Sequence, residues 1–105
     1  MTTQEIQEII RQTPLLVAYF SYPECSVCKV LRPRVEALTR QMGIDFVYVD
    51  THLHPEISGQ FIVFAVPTIV IFVEGKEAKR FSRHFGMEEL ATFLERMQEF
   101  ISMAD

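Results

Sequence analysis

Two cysteines, Cys25 and Cys28, stand three apart in SYPECSVCKVLRP (residues 21–33), with Ser26 and Val27 between them. The chain has no other cysteine. Sulfurs at this spacing can grip a metal ion, close a structural bridge, or pass electrons by thiol–disulfide exchange. Each use needs a different setting. A zinc site needs more ligands, and the candidates are His52 and His54 of HLH, which read as loop and lack the folding unit of a small zinc domain. A lone structural disulfide belongs in an oxidising compartment, and two cysteines are too few for a disulfide scaffold. The N-terminal MTTQEIQEII carries Glu5 and Glu8 instead of a basic segment followed by an apolar one, so it does not read as a signal peptide. A cytoplasmic setting is therefore expected, where thiols stay reduced and exchange chemistry is favoured over a bridge.

The scale of the chain fits one domain spanning residues 1–105, with 49% hydrophobic residues and nine Phe to build a core. Ten basic against fourteen acidic side chains give a net charge of −4, which argues against a nucleic-acid partner. The longest apolar run, Phe61 to Val73, is broken by Pro67 and is too short to cross a bilayer, so no membrane partner is expected.

The elements that must position the cysteines follow from periodicity. Thr2 and Glu5 form a capping-box pattern, and Ile6, Ile9 and Ile10 share one face, predicting a helix over 3–12 that Pro14 ends. LLVAYF (15–20) is a continuous apolar run, as in a buried strand. From Ser26, apolar residues Val27, Leu31, Val35, Leu38 and Met42 recur at helical spacing until Gly43. IDFVYVD (44–50) reads as a second strand, and residues 54–60 as a short helix around Pro55. TIVIFV (68–73) and EAKRFSR (77–83) read as a hairpin turned at Glu74–Gly75–Lys76. Leu90, Phe93, Leu94, Met97 and Ile101 stripe a last helix, with Glu88 and Glu89 in its first turn. The long helix joining the first two strands makes them parallel. The expected architecture is α/β, a mixed four-stranded sheet flanked by helices on both faces.

In that architecture the cysteines fall where the first strand hands over to the second helix. Free N–H groups and the dipole at a helix start favour an anion, here a thiolate at Cys25. Cys28 lies one turn further in on the same face. The outer sulfur can attack a disulfide, and the inner one can release the product.

These stretches together resemble the thioredoxin superfamily. CSVCKVLRP matches its active-site turn and helix, VYVD the next strand, VPTIVIF the segment containing Pro67, EGK the hairpin, and FG (85–86) the approach to the last helix. The resemblance covers residues 3–101 and lacks only a short opening strand. It implies a thioredoxin-like fold and a protein-disulfide oxidoreductase with Cys25 as nucleophile, Cys28 as resolver and no cofactor. It also implies a cis peptide bond before Pro67 that faces the cysteines, with Phe64, Ala65, Val66, Phe85 and Gly86 as an apolar substrate platform. Expected partners are protein disulfides and an electron donor, either a reductase or a small thiol, and the general role is cell redox homeostasis.

Some positions depart from the family's pattern. Glu24 stands where Trp is commonest, and Ser26–Val27 replaces Gly-Pro. The family's buried Asp falls near Tyr19 and its Lys partner near Phe46, which implies slower turnover than a typical thioredoxin. Tyr19 and Tyr22 read first as packing residues, with either hydroxyl able to approach a sulfur. Met42, Met87 and Met97 read as core fillers, and His84 as a surface residue. Arg32 and Arg34, either side of Pro33, read as a solvated face, with contact to an acidic partner as the second reading. Two other functions remain open: a redox-silent binding module using the surface around Phe64 and Phe85, and a dithiol metal carrier.

Overall fold

The structure is a computed structural model that describes residues 1–82 and 84–104. Its elements run α1 (Thr3–Gln12), β1 (Leu15–Ser21), α2 (Ser26–Met42), β2 (Asp45–Asp50), α3 (Pro55–Gln60), β3 (Thr68–Val73), β4 (Lys76–Ser82) and α4 (Met87–Ala104). The strands form one sheet in the order β2-β1-β3-β4. β1 is parallel to β2 and antiparallel to β3, and β3 is antiparallel to β4. This is the mixed sheet expected from the long α2 crossover and the tight hairpin.

β1 sits centrally and all seven of its residues are buried. Its side chains alternate between two cores, as the period of a strand requires. Leu15, Val17 and Tyr19 pack with Cys28 and Val35 of α2 and with Leu90 and Leu94 of α4. Leu16, Ala18 and Phe20 pack with Ile6 and Ile10 of α1 and with Ile57 of α3. Helices thus cover both faces. The capping box at the start of α1 forms as its sequence predicts: Glu5 N–H donates to Thr2 Oγ1 at 3.1 Å, and Thr2 N–H to Glu5 Oε1 at 2.9 Å. Gly43 stops α2 at φ 71°, and its N–H donates back to Arg40 O at 3.2 Å.

Two local expectations change. β4 starts at Lys76, so the hairpin turns on two residues, Glu74 (φ 51°) and Gly75 (φ 83°). Positive φ at both positions matches the twist of paired strands, and it leaves Lys76 free to pair with Val73. Arg83, the expected end of that strand, lies outside the described residues. In α2, Val27 is not a core position and stands 59% exposed. The buried stripe runs through Cys28, Val35 and Thr39, and one residue back along a helix turns a side chain about 100° away from it.

Candidate dithiol site

Cys25 is the N-cap of α2, in extended conformation, and its Sγ accepts the N–H of Cys28 at 3.3 Å. The Cys25 N–H donates to Tyr22 O at 3.1 Å, which tightens the turn leading in. The two sulfurs are joined as a disulfide. Cys28 is 4% exposed, whereas Cys25 is only partly covered. The outer sulfur is therefore accessible, the inner one is packed, and a backbone donor already points at the outer one.

A hollow of about 380 Å³ lies beside Cys28, walled by Tyr22, Lys29, Arg32, Pro33, Glu36 and Tyr48. Pro33 has no N–H, so the Lys29 carbonyl at this wall lacks its usual helical donor. The Arg32 guanidinium lies 3.6 Å from the centroid of Tyr48 and its Nε bonds Glu36. This corrects the reading of Arg32 as simply solvated, because an aromatic ring of β2 and a carboxylate one turn on both claim it. Beneath the hollow, Tyr19 is fully buried between Phe46 and Tyr48, with ring centroids at 6.1 and 6.2 Å. Its hydroxyl finds no hydrogen-bond partner among the described residues. Burial, reinforced by neighbouring Tyr48, pushes its pKa up to about 12. Tyr48 is also raised, chiefly by burial.

On the other side of α2 lies a groove of about 450 Å³ lined by Ser26, Val27, Val30, Leu31, Arg34 and Phe85. Val66, Phe85 and Cys25 each pack against the same core cluster. The Val66–Pro67 bond is cis, as expected, and Pro67 is buried. Phe64 projects with 86% of its surface exposed, Gly86 is exposed, and Ala65 is half-buried. The 61–66 segment is held firmly despite that exposure. Arg80 of β4 donates to the carbonyls of Ile62 and Phe61 at 2.9 and 3.0 Å, while Glu77 grips its other edge. The Arg80 hydrogen bond holds the Glu77 carboxyl below the usual range. Thr68 Oγ1 donates to Ala65 O at 2.6 Å.

Sequence reasoning missed Arg80, Tyr48 and the stacking of His52. The His52 ring lies on Tyr22 at 3.9 Å and 12°, with Nδ1 3.5 Å from Glu24 Oε1, immediately before Cys25. His52 is thus more than a free loop residue. His54 instead sits at the N-cap position of α3 without a side-chain capping bond, its Nδ1 3.7 Å from Glu56. Among the described residues no group of three or more His, Cys, Asp or Glu is placed to hold a metal, and no helix is long and apolar enough to cross a membrane.

A four-stranded mixed sheet with a disulfide-forming pair at the N-cap of its crossover helix, and a cis proline leading into β3, defines a thioredoxin-fold dithiol protein. The sequence model of the family described as Thioredoxin matches residues 1–96, and the chain belongs to that family. Thioredoxin-like protein YdfQ of Bacillus subtilis is 30% identical over 93 residues, covering 88% of this chain and 83% of that protein. Thioredoxin H2 of Arabidopsis thaliana is 35% identical over 74 residues, covering 70% of this chain and 56% of that longer relative. Among solved structures, thioredoxin 1 of Thermosipho africanus superposes with a TM-score of 0.78 at 33% identity, covering 83% of this chain and 98% of that one. Family and disulfide-forming pair together support thiol–disulfide oxidoreductase chemistry at the level of the family.

Proposed function

We propose that this chain reduces or exchanges protein disulfides in the cytoplasm, with Cys25 as nucleophile and Cys28 as resolver. In the reduced chain, the Cys25 thiolate attacks one substrate sulfur. A Cys25–substrate bond forms, the substrate S–S bond breaks, and the other substrate sulfur leaves as a thiolate. Cys28, as its thiolate, then attacks Cys25 Sγ, closes the Cys25–Cys28 disulfide and releases the second substrate thiolate. Two electrons have passed to the substrate, and a reductase or small thiol restores the dithiol.

One observation carries the assignment of roles: the partly exposed Cys25 accepts a helix N-terminal N–H at its sulfur while Cys28 is packed. Backbone around Pro67 and the exposed Phe64, with Ala65, Val66, Phe85 and Gly86, supply the surface for an extended substrate segment. An exposed apolar patch supports binding, and the Arg80 clamp supports a loop already shaped for it.

The test is reduction of a disulfide-linked peptide with dithiothreitol as donor. Wild type is expected to accelerate it, and Cys25→Ser to abolish the acceleration. A wild-type rate equal to that of dithiothreitol alone contradicts the proposal and leaves the redox-silent binding module.

A further inference from the structure

The groove beside Cys25 has an apolar floor and a charged end. Val27 and Val30 stand 59% and 60% exposed, on the stretch of α2 that leads to Arg34. Residues at these three- and four-residue spacings form one continuous strip of a helix surface. Phe85 closes the side of the strip, and Ser26, next to the nucleophile, opens it. Exposed aliphatic side chains gathered at a reactive centre mark a contact surface more than a packing error.

Charge decides what kind of contact. The chain carries −4 overall, yet α2 holds Lys29, Arg32, Arg34 and Arg40 against Glu36 alone. Arg32 is taken by Glu36 and Tyr48. Arg34 has no ion-pair partner among the described residues and is exposed. At the opposite end, beside Cys25, stands the exposed carboxylate of Glu24. The site is therefore acidic at the nucleophile and basic about two and a half turns away.

Resting on the reading that Cys25 attacks protein disulfides, we infer that this groove selects acidic substrate segments: an apolar side chain sits over Val27 and Val30, and a carboxylate beyond it pairs with Arg34. Helical rise puts Arg34 about 13 Å along the axis from Cys25. Extended chain covers roughly 3.3 Å per residue, so the carboxylate belongs about four residues from the attacked cysteine and the apolar side chain about two. A carboxylate directly beside the attacked cysteine meets Glu24 and is disfavoured. Attraction at one position and repulsion at another together give selectivity that neither gives alone.

The experiment uses the full chain and disulfide-linked peptides with Leu two residues from the cysteine. Asp, Asn or Lys occupies the fourth position, on either side of the cysteine, and kcat/KM is measured for each. The readout is the Asp-to-Lys ratio within each variant, which cancels any general loss of activity. Wild type is expected to favour Asp over Lys roughly threefold on one side, as for an exposed ion pair, with the ratio falling at high salt. Arg34→Glu is expected to invert the ratio. Equal ratios in wild type and Arg34→Glu, with all peptides reduced, overturn this inference and leave the dithiol reading standing. No peptide reduced above the donor's own rate overturns both.

Discussion

Two hollows of similar size flank the first turns of α2, and they differ in how their arginines are held. The one toward β2, about 380 Å³, holds Arg32, Glu36 and Tyr48, whose cation is matched by a carboxylate and a ring. The one toward Phe85, about 450 Å³, is walled by exposed valines and ends on Arg34, unmatched among the described residues. A hollow whose arginine is already held by a carboxylate and a ring contributes mainly to stability. One that leaves apolar surface and a cation open is shaped for something that arrives from outside. On the proposed reading, the two sides of one helix divide support of Cys28 from recognition at Cys25.

Removing the support should have the largest effect. Tyr19→Ala deletes a fully buried aromatic side chain beneath the β2-side hollow and is expected to cost about 3–5 kcal/mol of stability in urea unfolding. Tyr19→Phe keeps the ring and sheds a buried hydroxyl without a partner among the described residues, so at pH 7 it should leave stability unchanged or raise it. Wild type and Tyr19→Phe diverge further in alkali. Tyr19 ionises near pH 10 in the unfolded chain and at about 12 when folded. Between those values the unfolded state holds fewer protons, so stability falls as pH rises, by on the order of 2 kcal/mol. The contribution is whole below pH 10 and lost through pH 12. Tyr19→Phe should remove this part of the alkaline loss in urea titrations at pH 9 to 12 and leave that of Tyr48 in place.

The recognition side should behave in the opposite way. Val30→Asp places a carboxylate in the apolar strip, at a position that is 60% exposed. Peptide-disulfide reduction is expected to fall roughly tenfold, the worth of burying one apolar side chain against the strip, while the thermal midpoint stays put. A fall in the midpoint together with the rate would mean that both hollows are structural, and the contrast between them would fail. The smallest effect belongs to Glu24→Gln. The carboxylate opposes a neighbouring thiolate, and it stands 3.5 Å from the His52 ring nitrogen. Alkylation of reduced Cys25 at pH 7 should speed up roughly twofold. An unchanged rate would show that Glu24 does not restrain the nucleophile.

What the sequence made legible follows a physical line. The helices were readable because their buried faces repeat with helical period, and β1 and β3 because unbroken apolar runs mark strands buried on both faces. Cys25, Cys28 and the cis Val66–Pro67 bond sit in contiguous motifs. Val27 was misplaced because α2 offers two adjacent apolar stripes, and only docking onto β1 decides which is buried. Lys76 was misplaced because a two-residue turn needs positive φ at Glu74, a conformation its side chain does not advertise. Arg80 reaching Phe61 and Ile62, His52 stacking on Tyr22, and Arg32 covering Tyr48 all join residues far apart in the chain. No local spacing encodes such pairs, so they emerge only once the fold brings the segments together.

The central claim is that Cys25 attacks and Cys28 resolves. Cys28→Ser, mixed with a disulfide-linked peptide, tests it most directly, because no second sulfur remains to displace the bound peptide and the intermediate persists. Intact mass should show one peptide bound through Cys25, and Cys25→Ser should show none. An adduct that forms through Cys28 in Cys25→Ser, and not in Cys28→Ser, would contradict the account.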